Sequence, residues 1–473
     1  MDVKTLLTAV KTFVWGPPTL IMLMGTGLFL TIVLKGLQVK KFPRAIKAIF
    51  TKEEGLEDDG DVSPFATLCT TMAADIGTGS IVGVATAIRI GGPGALFWMW
   101  MSAILGMATK YAENLLGVKY RTKDEKGEMC GGPMYYIEKG MGEKWIWLAK
   151  LFAIFGIMTA LLGCGTFPQV NAITESLNYS FDIPVVIAGL VVTVMAAIVI
   201  IGGIKTISRV AEVIVPVMAG CFVIGSVVAL IMNHEHVPAA FQIIRISAFN
   251  PKSVAGGVTG AGMVSFLTVV RSGVARGVYT NEAGLGSSPI VAAAAKTDSC
   301  ARQGLISMTS VFFTTILTCT MTGLVIVTSG ALSGTDFDGS PLVTHAYRTL
   351  LPGNLGMYIV VFGIIFFSFT TILGWSYYGE RCMLYLTGNH KSVRIFKIFY
   401  IAALAVAPFL ELSVIWIIAD ITNALMILPN LIALIYLAPV VKAETEAYFG
   451  VRKEKVAEKE RDERETFARS KRQ

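Results

Sequence analysis

The chain has 473 residues, of which 54% are hydrophobic and only 15% are charged. Soluble domains carry about 25% charged residues, so this balance excludes an ordinary soluble globular protein and indicates a membrane protein with many spans. The net charge of +7 is concentrated in alternate loops and in the tail, which argues against a nucleic-acid-binding protein.

Eleven apolar runs are long enough to cross a bilayer as helices, which takes about 20 residues each. The first run is too long for the hydrophobic part of a signal peptide, and no small-residue cleavage site follows it, so we expect it to be retained. The predicted fold class is all-α, a polytopic membrane protein with eleven transmembrane helices. The runs are 14–36, 64–88, 93–118, 146–178, 183–202, 208–232, 257–283, 303–330, 353–384, 394–410 and 412–439.

Lysine and arginine residues gather in the segments 35–63, 119–145 and 385–397 and in the tail after Val440. The positive-inside rule makes these segments cytoplasmic. The N-terminus is then outside and the C-terminus in the cytoplasm, the arrangement that an odd number of helices requires. We expect a multi-pass protein of the plasma membrane.

Ten runs remain when the first is set aside, and they form two sets of five. Because five is odd, the two sets enter the membrane from opposite sides, which predicts an inverted repeat of five plus five helices. Chance symmetry among glycines that only serve helix packing is the alternative. The predicted regions are an extra N-terminal helix at 1–36, a cytoplasmic linker at 37–63, the first repeat at 64–232, an extracellular connection at 233–256, the second repeat at 257–439 and a charged cytoplasmic tail at 440–473.

In the run 64–88, Asp75 is followed by Gly77 and Gly79. Hydrocarbon offers no water to a carboxylate or to unpaired backbone groups, so a helix break here survives only where it lines a cavity or binds a ligand. Discontinuous helices are typical of the binding sites of secondary transporters. The first helix of the second half is predicted to be interrupted as well, through the glycines of 269–277, ahead of the segment 280–286.

The sequence carries little that indicates an enzyme. It contains no HExxH, GxSxG or GxxxxGK[ST] motif, and its seven cysteines form no CxxC pair. His234 and His236 are two residues apart, a spacing that points the two rings away from each other on a helix. We therefore predict that the protein is not an enzyme.

Three segments resemble a known family. The stretch 92–109, which contains Phe-Trp-Met-Trp, is similar to the signature of the alanine or glycine:cation symporter (sodium:alanine symporter) family, and the stretches 77–88 and 277–289 look like the same family. The resemblance covers about residues 5 to 445. It implies a sodium-coupled importer of alanine or glycine, with a LeuT-like core of two inverted five-helix repeats and one extra N-terminal helix.

A zwitterionic amino acid needs donors for its carboxylate and acceptors for its ammonium group. Backbone N–H groups freed at the break suit the carboxylate, and Gly77 and Gly79 allow close approach because they lack a Cβ, with the Thr78 hydroxyl beside them. Backbone carbonyls, or the amides of Gln169 and Asn171, are predicted to accept from the ammonium group. Ordinary packing is the alternative for Thr78, and interhelical hydrogen bonding for the two amides.

Four further residues complete the predicted substrate-binding set: Asp75, Phe266, Thr371 and Trp375. Asp75 is interpreted as a counter-charge to the ammonium group or to sodium, or as the partner of a basic residue such as Arg271. Trp375 lies one helical turn beyond Thr371 on the same face, where a bulky ring would cap the pocket and limit the substrate to small side chains. Core packing is its alternative role.

Sodium is the predicted cofactor. In LeuT-like folds one sodium ion lies between the first broken helix and the eighth core helix, and the resemblance places that helix around the hydroxyls of Ser368, Thr370 and Thr371. With the carbonyls of Ala74 and Gly77 they form an oxygen-rich set of the kind that hard cations prefer. The alternative is that serine and threonine bond their own preceding carbonyls inside the helix.

Two other functions stay open at this stage. A proton-coupled amino-acid transporter would use a membrane carboxylate such as Asp75, Glu411 or Asp420. A channel or scaffold would need neither broken helix. The predicted partners are a small amino acid and the lipid bilayer, with no nucleic acid, and the oligomeric state is not predicted.

Overall fold

The computed structural model describes residues 3–51, 60–249, 265–333, 335–410 and 412–450. Besides residues 1–2 and 334, parts of four predicted features lie outside these residues. They are 52–59 of the linker, 250–256 of the connection, 257–264 of the second repeat with Glu411, and 451–473 of the tail.

The first half of the described chain is helical apart from one small hairpin. Strand β1 (Thr122–Lys123) pairs antiparallel with β2 (Met129–Cys130), Thr122 opposite Cys130. The α-helices are α1 Val3–Val14, α2 Pro17–Val33, α3 Leu37–Lys40, α4 Phe42–Phe50, α5 Pro64–Asp75, α6 Val82–Gly91, α7 Ala95–Lys119, α8 Pro133–Tyr136, α9 Ile146–Leu162, α10 Phe167–Phe181, α11 Val185–Ile201, α12 Gly203–Met232 and α13 Val237–Phe249.

The second half is also helical. A π-helical stretch, Phe312–Cys319, joins two of its α-helices. The α-helices are α14 Phe266–Asn281, α15 Ser288–Ala292, α16 Cys300–Val311, α17 Thr320–Thr328, α18 Gly339–Leu350, α19 Leu355–Thr387, α20 His390–Val406 and α21 Leu412–Tyr436.

Seven helical segments in the described part of the chain, three of which run through two successive α-helices, are long and apolar enough to cross a membrane, against the eleven spans predicted. They are Lys4–Val33, Glu143–Phe181, Gly203–Met232, Cys300–Thr328, Leu355–Thr387, His390–Phe409 and Val414–Tyr436. Most of the difference has a local cause. The predicted run 64–88 is split into two short helices, α11 has 17 residues, and α14 begins only at Phe266. The count of eleven and the five-plus-five arrangement stay predictions, as do the regional boundaries.

The first predicted break is present. Ser63 caps α5 by accepting the N–H of Ala66 at 3.0 Å, and Pro64 occupies the first turn, where a missing N–H costs no helical bond. Helix α5 ends at Asp75, a single 3₁₀ turn follows at Thr78–Ser80, and α6 begins at Val82. The backbone of Ile76 and Gly77 therefore leaves the helical path inside the protein.

The second break, whose exact position the sequence left open, lies after the glycines of 269–277. Helix α14 runs unbroken through Gly273 and Gly277, which serve packing: a Cβ on either would lie 2.3 Å from an atom of α7. The interruption falls instead between α14 and α15, where Glu282 has φ of 54° and Gly284 and Gly286 have φ of 94° and 78°. A left-handed backbone favours glycine, which explains the two glycines here.

A further interruption divides the predicted run 146–178. Helix α9 ends at Leu162 and α10 begins at Phe167, with Gly163 and Gly165 between them and Pro168 in the first turn of α10. A Cβ on Gly165 would lie 2.8 Å from the Cβ of Trp375 on α19. This bend therefore lets α19 approach the start of α10 closely.

Candidate functional site

The two helix breaks lie against each other in the interior. A Cβ on Gly79 would lie 2.8 Å from the Thr280 hydroxyl oxygen and 2.9 Å from the Tyr279 ring. Only a residue without a side chain fits between the first break and the last turn of α14. The first break is thereby fixed against the helix that leads into the second.

A buried ion pair joins the breaks through α7. The Nζ atom of Lys110 lies 3.1 Å from Oδ1 of Asp75, and neither side chain is exposed to solvent. Lys110 also donates to the carbonyl of Asn281 at 2.8 Å, and Ser310 on α16 donates to Oδ2 of Asp75 at 2.8 Å. One ammonium group therefore holds the end of α5 and the end of α14 together.

This arrangement identifies the partner of the Asp75 carboxylate, which the sequence left open. Its partner is Lys110, a residue that the sequence interpretation did not consider, whereas Arg271 lines a cavity beside Asp420. A buried carboxylate with a lysine and a serine on its two oxygens is an integral part of the fold. Removing Lys110 would leave its charge uncompensated, and removing Ser310 would leave one oxygen without a hydrogen bond.

Two glutamates hold the second break. Trp375 on α19 donates its indole N–H to Oε1 of Glu282 at 2.7 Å. Glu113, one turn along α7 from Lys110, accepts the backbone N–H groups of Gly284 at 3.0 Å and Gly286 at 3.1 Å. Backbone donors that the break removes from helical bonding are thus satisfied by a carboxylate, as buried amides require.

The amide of Gln169 on α10 closes the first break from the other side. Its Oε1 accepts the N–H of Thr78 at 3.1 Å, and its Nε2 donates to the carbonyl of Cys164 at 2.9 Å. A Cβ on Gly77 would lie 2.5 Å from the Thr371 hydroxyl and 2.9 Å from Oε1 of Gln169. Four predicted site residues, Gly77, Thr78, Gln169 and Thr371, therefore meet at one point.

Oxygen atoms of α5 and α19 converge beside the break. The hydroxyl of Thr371 lies 2.9 Å from the carbonyl oxygen of Ala73, 3.2 Å from that of Ala74 and 3.0 Å from that of Phe367. The neighbouring hydroxyl of Ser368 is fully buried and has no hydrogen-bond partner in the described part of the chain. Carbonyl and hydroxyl oxygens in such a group are suitable ligands for a hard cation.

Three of the predicted residues lie apart from this point. The hydroxyl of Thr370 bonds the carbonyl of Phe367 and faces the sulfur of Met218 at 3.9 Å, toward α12. Phe266 begins α14, is half exposed and packs against Trp98 with ring centroids 5.8 Å apart. Asn171 is only partly buried, and its side-chain oxygen has no hydrogen-bond partner among the described residues.

A second charged cluster lies earlier in α14 than the residues that contact the first break. Both guanidinium nitrogens of Arg276 bond the two carboxylate oxygens of Asp420, at 3.0 and 3.2 Å. Lys11 on α1 lies 2.7 Å from the same carboxylate. The Arg276 guanidinium also lies 4.7 Å from the ring centroid of Trp416. This planar, bidentate pairing of guanidinium and carboxylate fixes α14 to α21.

The family profile described as "Sodium:alanine symporter family" matches residues 1–463. The chain belongs to this family. It is a symporter, a membrane transport protein that couples amino-acid movement to a cation, and not an enzyme. The resemblance of the three segments quoted from the sequence is thereby confirmed.

Two relatives align with this symporter along almost the whole chain. The sodium/alanine symporter AgcS of Methanococcus maripaludis is 45% identical over 458 residues, which are 96% of this chain and 99% of that protein. An uncharacterized transporter of Haemophilus influenzae is 52% identical over 449 residues, 95% of this chain and 97% of the relative.

The fold of the symporter also resembles a solved structure. MhsT in complex with L-phenylalanine superimposes with a TM-score of 0.53 at 14% identity, covering 83% of this chain and 99% of that chain. At this identity the likeness concerns the fold alone. The LeuT-like architecture expected from the sequence is confirmed at that level.

Sequence reasoning missed Lys110, Glu113, Glu282 and Arg276 as constituents of the symporter's interior. A signal for the first two was present, because Lys110 and Glu113 stand in the otherwise apolar run 93–118, where a charged side chain is costly unless it is partnered. No pattern in the sequence indicated which acidic side chain each basic side chain would pair with.

Proposed function

We propose that the protein imports a small neutral amino acid, alanine or glycine, together with sodium by alternating access. The observation that carries this proposal is the convergence at the first break: a helix opened at Gly77, the amide of Gln169 and the hydroxyl of Thr371 occupy one buried point. The site combines backbone donors for a carboxylate with an adjacent group of oxygens for a cation.

The substrate carboxylate binds the N–H groups of the segment Gly77–Gly79. These groups lie at the start of a helical turn, where the helix dipole favours negative charge. The N–H of Thr78 bonds Gln169 at 3.1 Å, so the incoming carboxylate takes over this donor. The Oε1 atom of Gln169 is then released to accept from the ammonium group.

The close packing at the first break favours substrates with small side chains. The ring of Trp375 is fully buried and held by Glu282, and a Cβ on Gly77 or Gly79 would meet neighbouring atoms at less than 3 Å. With walls this close, each extra methylene on a substrate would have to displace packed atoms. Alanine and glycine are therefore the expected substrates.

Sodium binds between α5 and α19. Its ligands are the hydroxyls of Thr371 and Ser368 and the carbonyls of Ala74 and Gly77 from the predicted set, with the carbonyl of Ala73 added because it lies 2.9 Å from the Thr371 hydroxyl. The carbonyl oxygen of Ala74 lies 3.2 Å from the same Thr371 hydroxyl. The unpartnered hydroxyl of Ser368 supports the same assignment. Thr370 is left out because it faces Met218.

Proton coupling is less well supported, because the described carboxylates named for it are already paired. Asp75 is bonded by Lys110 and Ser310, and Asp420 by Arg276 and Lys11. Both carboxylates therefore hold helices together in the described structure. Glu411, the third candidate, lies outside the described residues.

The test is uptake of labelled alanine into proteoliposomes under two gradients. We expect accumulation with an inward sodium gradient at equal pH and none with a pH gradient in sodium-free buffer. Accumulation driven by the pH gradient alone would reject sodium coupling. A channel would show no stimulation of labelled uptake by unlabelled alanine inside the vesicles, whereas a carrier would. The arrangement with the N-terminus outside and the basic loops in the cytoplasm belongs to the same proposal.

A further inference from the structure

An apolar groove lies on the outer surface of the protein between α12 and α19, and its volume is about 490 Å³. Both helices are long and apolar enough to cross a membrane, so the groove opens to the bilayer. Its walls are two rows of exposed side chains four residues apart, a spacing that keeps each row on one face of its helix. The rows are Val213, Val217 and Cys221 on α12 and Tyr358, Phe362 and Phe366 on α19.

The floor of the groove is buried and reaches the first break. Met218 and Phe222 of α12 form it together with Gly363 of α19. A Cβ on Gly363 would lie 3.0 Å from the Phe222 ring and 3.1 Å from the side chain of Ile81. Ile81 directly follows the 3₁₀ turn Thr78–Ser80. A ligand in the groove therefore lies against side chains that pack on the first break.

Two cations extend the α12 row beyond one end of the groove. Lys205 and Arg209 precede Val213 by the same four-residue step, and both side chains are exposed. Among the described residues, neither makes a hydrogen bond or an ion pair. The carboxylate of Glu212 is near in sequence but is partly buried, close to the Cys69 thiol of α5. The two positive charges are therefore available to a ligand that enters the groove from this end.

We propose that the groove binds an acyl chain of an anionic phospholipid whose headgroup lies against Lys205 and Arg209. The groove runs from Val213 to Phe222, nine residues along α12, or about 14 Å at a rise of 1.5 Å per residue. Half of a hydrocarbon core about 30 Å thick is about 15 Å, so the groove spans the depth of one leaflet. The two cations then stand where that leaflet meets water, which is where a headgroup phosphate lies.

The chemistry of the groove favours a lipid over another transmembrane helix. Helices pack in membranes through small residues that let their backbones approach closely, whereas one wall here consists of Tyr358, Phe362 and Phe366. A flexible acyl chain can follow a narrow floor between bulky walls and gain dispersion contacts that a rigid helix would miss. Exposed basic side chains at the edge of a membrane attract anionic headgroups. Both parts of the site therefore select the same molecule.

A bound chain supports the contact of α12 with α19 from the membrane side. On the inner side of this contact, the sulfur of Met218 faces the hydroxyl of Thr370, which precedes the predicted sodium ligand Thr371. A ligand that binds the folded groove and not the unfolded chain stabilises the fold. We therefore expect phosphatidylglycerol to raise the midpoint of thermal unfolding of the natural protein and to leave that of Val217→Trp unchanged.

The main test is native mass spectrometry of the full-length protein, delipidated in detergent and titrated with dioleoyl phosphatidylglycerol or dioleoyl phosphatidylcholine. We expect the natural protein to retain one more molecule of phosphatidylglycerol than of phosphatidylcholine per chain. The double variant Lys205→Gln with Arg209→Gln loses this preference, and Val217→Trp, which fills the groove from its wall, loses the bound molecule. Two matched controls keep it: Lys150→Gln removes an exposed lysine of α9, and Ile198→Trp adds a ring to an exposed position of α11.

The possible failures give different results. Glycerol phosphate, which has the headgroup charge but no acyl chain, should not displace the phospholipid; if it does, the site recognises phosphate alone and the proposal is overturned. Equal binding of the two phospholipids to the natural protein overturns it as well, because the cations then select nothing. Retention of the preferred lipid by Val217→Trp, or an equal rise of its unfolding midpoint, shows that the charges act without the groove and also overturns it. None of these measurements depends on alanine uptake, so they are independent of the proposed function.

Discussion

The ion pair between Lys110 and Asp75 makes the sharpest prediction about stability. The two side chains are fully buried, and their charged atoms lie 3.1 Å apart. With an effective dielectric constant of about 20, the attraction at this distance is about 5 kcal/mol. Removing one partner leaves the other charge buried and unpaired, which costs about 3–5 kcal/mol in other proteins. Against a total folding free energy of about 5–15 kcal/mol, this is a severe loss.

The two single substitutions are not equivalent. Lys110→Met removes the cation that faces both Asp75 and Glu282 and also bonds the carbonyl of Asn281, whereas Asp75→Asn keeps the shape and a hydrogen-bonding oxygen. We expect Lys110→Met to destabilise more. The double variant should recover part of the loss, because the unpaired charge of Asp75 is then absent.

The assay is equilibrium unfolding in mixed micelles with increasing SDS, carried out as a double-mutant cycle. Lys119→Met is the matched control: Lys119 pairs with Glu444, both about one-third exposed, so its loss should cost at most about 1 kcal/mol. If Lys110→Met and Asp75→Asn add within about 0.5 kcal/mol, the pair does not act as a unit and the reasoning is refuted.

Three further predictions concern the site itself. Thr371→Ala should raise the sodium concentration for half-maximal alanine uptake at least severalfold, and Thr371→Ser should restore it; an unchanged sodium dependence would remove Thr371 from the ion site. Gly79→Val should abolish alanine binding in a protein that still elutes as a folded peak in detergent, since its Cβ would clash with Thr280; normal alanine affinity would contradict the carboxylate contact. Trp375→Phe loses the 2.7 Å bond to Glu282 and should lower the preference for alanine over larger amino acids, measured by competition. An unaltered competition series would show that the ring does not limit substrate size.

The first break could be predicted from the sequence because its signal is local. An acid and two glycines inside an apolar run conflict with a continuous membrane helix, whatever packs around them. The segments 77–88, 92–109 and 277–289 likewise carried the resemblance to the family. The convergence of Gln169 and Thr371 on Gly77 followed from the expected fold and is present in the structure.

The position of the second break could not be fixed from the sequence, because glycine serves two purposes that composition alone does not separate. Gly273 and Gly277 are four residues apart on one face of α14, where they allow close packing on α7. Gly284 and Gly286 instead supply positive φ angles. Likewise, Lys110 is an unexpected charge in an apolar run, and the sequence shows this. Which acidic side chain it pairs with depends on how the helices pack, and a single sequence does not give that packing.

The bonds of Lys110 to both breaks have a mechanical consequence. Pulling α5 away from α14 would leave the buried Lys110 ammonium group without its partners, so we expect the two broken helices and α7 to move as one rigid unit in the proposed transport cycle. The close contacts of Gly273 and Gly277 with α7 add to the rigidity of this unit. We then expect opening to either side of the membrane to occur by sliding at the outer faces of the unit, against α10, α19 and α21. The contacts of Gln169, Thr371 and Arg276 lie on those faces, and we expect each half-cycle to break and re-form them.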